Sequence, residues 1–331
     1  RCPPVRCLLI REEYLGELPS GDISRIISRL SASDQHRLLR LLTAEQSADL
    51  VMMLPEAQRT EVFDDLPVKA AGNILEEMPS NERADLLSTL SDESAEAIYE
   101  VMDPTAASKA RQLAEYPPDV AGGLMITEFL SYRQGVTVGE VISDFQRNAE
   151  VYSDYDIQYA YVVDSSGVLA GVLRLRELLV ADRNTWIDRI MIPNPLRIQD
   201  TDSLSQLGEF FNEHHFVGVP VVDASGVLVG VVRRHDVEEA LADRFGSDYL
   251  KSQGIVGGEE LRTMSLWRRS SRRLSWLSVN IFLNIAAASV IAMYQETLAS
   301  VIALAVFLPI ISDMSGCSGN QAVAVSMREL S

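Results

Sequence analysis

The chain has 331 residues, with 29 Lys and Arg against 47 Asp and Glu and a formal charge of −18. Such an acid excess argues against a nucleic-acid binder, which needs a basic face to neutralise phosphates. A hydrophobic content of 47% supplies cores and excludes a mostly disordered chain. The three cysteines, Cys2, Cys7 and Cys317, form no disulfide framework, so a reducing compartment is expected.

Residues 18–103 carry a repeat. Leu18, Leu30, Leu42, Leu54, Leu66, Met78, Leu90 and Met102 lie twelve apart. The residues that follow them are Pro19, Ser31, Thr43, Pro55, Pro67, Pro79, Ser91 and Asp103. Pro suits a first helical turn, and Ser, Thr and Asp accept from the free amides at a helix start. Each dodecad therefore predicts one helix of about eight or nine residues. Helices this short need stacking, which predicts a solenoid or compact superhelix. Its acid pairs, Asp64-Asp65 and Glu76-Glu77, read first as solvated faces.

A longer duplication occupies residues 124–245. The run Val162 to Arg174 recurs 59 residues later as Val221 to Arg233, with ten of thirteen positions identical. Each copy reads as strand, Asp-x-x-Gly turn, strand and helix. Leu124-Met125-Ile126-Thr127 and Ile190-Met191-Ile192-Pro193 open the copies. Short helices follow at Val138 to Phe145 and Ser203 to Phe211. The expected unit is β-α-β-β-α, present twice as a pseudo-twofold pair.

This unit resembles the CBS domain, and the two copies resemble a CBS pair. The resemblance implies that the cleft between the copies binds ATP or another adenine nucleotide. It places Tyr159, Arg176, Glu177, Phe216 and Pro220 around that cleft. Two positions depart from the pattern. The hydroxyl residue at the start of the final helix is Arg174 in one copy and Arg233 in the other. The ribose-binding Asp is Glu177 in the first copy and Asp236 in the second. A purely mechanical module is the competing reading.

Beyond the duplication the composition changes. Residues 262–331 hold Arg262, Arg268, Arg269, Arg272, Arg273 and Arg328 against Glu296, Asp313 and Glu329, so the acid excess lies entirely upstream. Leu274 to Gln295 is a run of 22 residues without charge, ~33 Å as a helix against a hydrocarbon core of ~30 Å. From Thr297 to Met327 only Asp313 is charged, which predicts a second span with breaks allowed by Pro309, Gly316 and Gly319. A buried core hairpin is the alternative. The arginines before the first span place the acidic body in the cytoplasm, with Glu296 in a tight external turn. No signal peptide is visible, and the chain reads as a piece of a longer multi-pass protein of the cell membrane.

The whole order, together with Ala121-Gly122-Gly123-Leu124-Met125 and Gly319-Asn320-Gln321, resembles the MgtE family of magnesium channels and transporters. The resemblance implies a homodimer in the lipid bilayer, with five spans per subunit. The expected fold is multidomain: an all-α superhelical N-terminal domain, an α/β CBS-domain pair, then α-helical transmembrane segments. The expected divisions are a helical-repeat domain over 1–115 and CBS domains over 116–185 and 186–245. A connecting helix and basic linker over 246–273 would precede membrane helices at 274–296 and 297–331.

Mg2+ takes one or two carboxylates and keeps most of its water. The acidic body therefore reads as a Mg2+ sensor. Asp236 and Asp248 fall on family metal-sensing positions, and Glu239 and Asp243 are i, i+4 neighbours on one helix. A solvated helix face is the alternative for all four. His215, Arg244 and Ser247 stand where the family commonly carries acids. In the second span, Asn320 is expected to line the pore by holding water of a hydrated cation. Asp313 joins it as an intramembrane acid; Cys317 replaces a second Asn. His214-His215 and Cys2/Cys7 lack partners for a metal site. No nucleophile elbow, P-loop or HExxH occurs, which argues against an enzyme. The expected activity is Mg2+-selective transport gated by Mg2+ on the cytoplasmic domains; the alternative is a membrane-anchored nucleotide-sensing module without transport.

Overall fold

The computed structural model describes residues 27, 30 and 32–252 with short gaps, then 266–301, and scattered positions between 307 and 326. The chain divides into two compact units, Arg1–Leu241 and Ala242–Ser331.

The first unit opens with seven short helices: α1 Ala32–Leu39, α2 Ala44–Met52, α3 Glu56–Asp64, α4 Val68–Glu76, α5 Ser80–Thr89, α6 Asp92–Val101 and α7 Pro104–Ala114. Thr43 and Ser91 start α2 and α6 by accepting from the Gln46 and Ser94 amides. Asp103 accepts from the Thr105 and Ala106 amides, with Pro104 in the first turn of α7. Pro67 and Pro79 instead sit one position earlier, at the N-cap, where they supply no side-chain acceptor. The twelve-residue apolar positions are the core: Leu54, Leu66, Met78, Leu90 and Met102 are buried, and Leu30 and Leu42 pack on them. Leu18 lies outside the described residues.

Each helix packs on the next but one, α1 on α3, α2 on α4, α3 on α5, α4 on α6 and α5 on α7. The structural repeat is therefore a pair of dodecads. Two arginines 24 residues apart mark it. Arg59 donates to the Met52 and Leu54 carbonyls at 2.6 and 2.7 Å. Arg83 donates to the Leu75, Glu76 and Met78 carbonyls at 2.7, 3.0 and 2.7 Å. Each guanidinium donates to carbonyls at the end of an earlier helix or just past it, where the helix's own amides run out.

The duplication folds as two β-α-β-β-α units. The first comprises β1 Leu130–Arg133, α9 Val138–Arg147, β2 Tyr159–Val163, β3 Leu169–Arg174 and α10 Leu175–Val180, preceded by the short α8 Ala121–Leu124. The second comprises β5 Ile198–Gln199, α11 Leu204–Glu213, β6 Gly218–Val222, β7 Leu228–Arg233 and α12 Arg234–Ser252, preceded by β4 Ile192–Pro193. In each copy the first strand runs parallel to the second, and the third pairs antiparallel to the second.

The opening segments cross over. β4, which opens the second copy, pairs with β3 of the first at Gly171 and Val172. Ile126, which opens the first copy, bridges to Val231 of the second. The Asp-x-x-Gly turns meet as well: the Leu169 amide donates to Gly226 and the Leu228 amide to Gly167, both at 3.1 Å. Gly167 and Gly226 take φ of +86° and +84°, the left-handed region that the turn requires and glycine adopts freely. These reciprocal bonds form the pseudo-twofold axis.

The Ala121-Gly122-Gly123 run joins the helical repeat to the pair. The Ala121 and Gly122 amides donate to the Asp202 and Asp200 carbonyls, both at 2.8 Å. A Cβ at Gly122 would strike the ring of Tyr116, whose hydroxyl donates to Asp200 Oδ2 at 3.0 Å.

The second unit holds α12 from Ala242 onward, then α13 Leu266–Met293 and α14 Gln295–Ser300. Among the described residues no helix is long and apolar enough to cross a membrane. The expected turn at Glu296 is instead the start of α14. No Gly or Pro lies between Met293 and Thr297 to force a turn, and an acid suits a first helical turn. Gly316 and Gly319 are helical rather than breaks; a lone Gly weakens a helix by only ~1 kcal/mol against Ala. Pro309 lies outside the described residues.

Candidate functional site

Between the copies lies a half-open cleft of about 420 Å³, its open mouth included. Its lining is built from equivalent positions of the two copies. Gln158 and Tyr159 at the start of β2 face Val217 and Gly218 at the start of β6. Phe129 and Tyr161 add aromatic surface, with ring centroids 6.0 Å apart in an edge contact. Burial pushes the Tyr161 phenol well above its ordinary value, so it stays a neutral donor. Glu128 and Arg233 supply the charges of the lining.

Of the five residues expected around a nucleotide, the structure brings Tyr159 to this cleft. Phe216 stacks on Phe210 at 6.2 Å within the second core. Pro220 pairs with Val231 inside the sheet. Arg176 and Glu177 stand on α10, 3.8 Å from each other, and neither lines the cleft. Glu128, Phe129 and Gly218 carried no such signal in the sequence, because the crossing of the opening segment puts residues 126–129 against the second copy.

The four acids expected to sense metal all lie on α12. Asp236 is engaged: Arg233 Nε and Nη2 donate to its two oxygens, each at 2.8 Å. The three-residue spacing across the start of the helix makes this fork possible. Glu239 lies 3.7 Å from His235 Nε2. Asp243 and Asp248 are exposed on the same helix. Among the described residues no three His, Cys, Asp or Glu side chains gather into a metal-ligating group. Asp313 is exposed in a helical stretch, and Asn320 lies outside the described residues.

The helical repeat docks on the CBS pair beside the cleft. Ser80, the first residue of α5, donates its amide and hydroxyl to Glu128 Oε2 at 3.3 and 2.8 Å. The Thr127 amide donates back to Ser80 Oγ at 2.8 Å. Ala84 of α5 is buried in the core of the second copy.

Residues 18–119 match the MgtE intracellular N domain, and residues 187–243 match the CBS domain. The chain is 32% identical over 254 residues to the magnesium transporter MgtE of Thermus thermophilus, covering 75% of this chain and 55% of that protein. It is 32% identical over 224 residues to the magnesium transporter MgtE of Enterococcus faecalis, 68% of this chain and 49% of that protein. The solved soluble part of a magnesium transporter is similar at 25% identity and TM-score 0.63, over 70% of this chain and 91% of that one. The chain spans about half the length of the curated relatives it matches. The chain is thus similar to the MgtE magnesium transporters through its helical repeat and its CBS domains.

Proposed function

We propose that the protein carries Mg2+ across the cell membrane and that its acidic N-terminal and CBS domains are the cytoplasmic gauge of that ion. The observation that carries this reading is the helical repeat seated directly on a CBS pair, in a chain that continues into a long helix of exposed apolar side chains. The domain divisions follow the sequence: helical repeat over 1–115, CBS domains over 116–185 and 186–245, linker over 246–273, and spans over 274–296 and 297–331. The protein works as a homodimer, and its role is transport rather than catalysis, in keeping with the magnesium transporters it is similar to.

The chemistry fits a weak, reversible sensor. Mg2+ binds through one or two carboxylates and keeps its remaining water. Exposed Glu239, Asp243 and Asp248 suit such outer-shell contacts, and Asp236 joins them by leaving Arg233. High internal Mg2+ then bridges acidic faces that repel one another without it, and the pore closes. In the pore, Asn320 and Asp313 hold the hydrated ion. The CBS cleft, with an aromatic lining and Arg233, takes an adenine nucleotide as a second signal.

The test is potential-driven Mg2+ uptake by the complete protein in liposomes, with Mg2+ varied on the side of the acidic domains. Uptake that shuts off as that Mg2+ rises is expected. Absence of uptake overturns transport, and uptake indifferent to that Mg2+ overturns the gauge.

A further inference from the structure

Helix α5 begins with Pro79 at its N-cap, which offers no side-chain acceptor. The missing acceptor comes from Glu128, 48 residues downstream and on the other domain. Ser80 is 1% exposed and its two bonds to Glu128 are part-buried, so leaving the Ser80 donors unpaired is costly. Thr127 extends the joint on both sides: its amide donates to Ser80 Oγ, and its hydroxyl lies 3.4 Å from Glu128 Oε1. The carboxylate also acts on Arg83, one turn further along α5, whose burial-lowered pKa it opposes.

The same Glu128 lines the CBS cleft, with Arg233 as the other charged lining residue. One carboxylate thus serves two places. A positive or hydrogen-donating group in the cleft draws on the acceptor that holds the start of α5. We propose that Glu128 couples the cleft to the helical repeat, so that an occupant donating to Glu128 competes with Ser80 and loosens the seat of α5. The coupling is reciprocal: whatever frees Glu128 from Ser80 strengthens binding in the cleft. The inference rests on the nucleotide reading only for its probe, ATP, whose adenine amine is the donor and whose phosphates suit Arg233.

The experiment titrates ATP into the full chain and follows amide exchange at residues 80–83. Ser80→Ala should tighten ATP binding by about fivefold, and saturating ATP should speed exchange at those amides by a similar factor. In a Glu128→Ala background, Ser80→Ala should change nothing further. Glu128→Gln keeps an acceptor of the same shape and should fall between, which guards against a misfolded Ala variant. Equal ATP affinity with and without Ser80→Ala, together with unchanged exchange, overturns the coupling while leaving the nucleotide reading intact. If ATP gives no heat in any chain, the nucleotide reading fails and a second arm decides the coupling. In it, Val217→Cys is labelled with bimane in a chain whose three native cysteines are Ser. Its emission should shift on Ser80→Ala and stay fixed when Glu128→Ala is also present; no shift, or the same shift in both, overturns the proposal.

Discussion

The thioether of Met125 lies against the Cα of Gly230, where an added Cβ would stand 2.5 Å from the sulfur and 3.0 Å from the Met125 Cβ. The other copy repeats the relation, with Met191 over Gly171. Each methionine belongs to an opening segment that crosses to the opposite sheet, so each glycine is the floor on which its partner copy rests. Gly230→Ala should cost about 1–3 kcal/mol by overpacking. The Met125 side chain must shift, and its Cβ, at 3.0 Å, must give by a few tenths of an ångström. Urea unfolding of Gly230→Ala, Met125→Ala and the double variant checks this. The double variant should be more stable than the sum of the single losses by at least ~0.5 kcal/mol.

Arg83 is 6% exposed and closes three carbonyls at the end of α4. Arg83→Met keeps the apolar stem and removes every donor. The expected loss is about 3 kcal/mol, since buried carbonyls are left unpaired. Arg59→Met should cost less, because Arg59 closes two carbonyls and its side chain is 23% exposed. Thermal unfolding of the two variants ranks them, and a loss for Arg59→Met as large as that for Arg83→Met would count against burial and carbonyl closure as the source of the difference.

These arginines also mark where the sequence stops being legible. The twelve-residue run of Leu and Met told of short stacked helices because apolar spacing is a local signal. The 24-residue unit was hidden, since Arg59 and Arg83 bond to backbone carbonyls that any residue would supply. The duplication was legible through Asp164, Gly167, Asp223 and Gly226, whose types the turns demand. The crossing of Ile126 and Ile192 was not, because an apolar strand names no partner. Glu128 escaped notice for the same reason: its partner Ser80 lies on another domain, and one acid among 47 carries no pattern.

Asp164 Oδ1 accepts from the Ser166 and Val168 amides at 2.7 and 3.0 Å. The bond from Val168, chiefly, holds its carboxyl below the ordinary carboxylate range. A group whose folded pKa is depressed stabilises the fold above its unfolded value, near ~3.9, and loses that contribution as pH falls through the folded value. Asp164→Asn should therefore lower stability at neutral pH and flatten the acid limb below pH ~4. Chemical denaturation at a series of pH values reads both effects.

The fork from Arg233 to Asp236 makes a claim about sensing testable. If Asp236 binds Mg2+ only by leaving Arg233, then Arg233→Met should lower the Mg2+ concentration at half-compaction by about threefold. Asp236→Asn should raise it, and Glu239→Gln with Asp243→Asn should raise it further. Small-angle scattering of residues 1–261 across a Mg2+ titration gives the midpoint. A midpoint unmoved by Arg233→Met would leave Asp236 a structural acid that braces the start of α12.

Helix α13 presents apolar groups on every side. Ile281, Phe282, Leu283 and Ile285 are 49, 73, 63 and 57% exposed, and successive residues turn by ~100° around the axis. A helix against a protein core would bury one stripe and show polar groups on the other. Exposure all round suits the lipid-facing segment proposed above, and under that proposal the five arginines between Arg262 and Arg273 lie at its cytoplasmic end. Ile285→Arg, near the middle of the uncharged run, should therefore oppose insertion by about 2.5–3.5 kcal/mol. The same substitution at Leu274, beside the arginine flank, should oppose it far less, because the side chain reaches the interface. Alkaline extraction of membranes separates inserted from peripheral chains. Equal retention of both variants would show that this helix does not cross the bilayer.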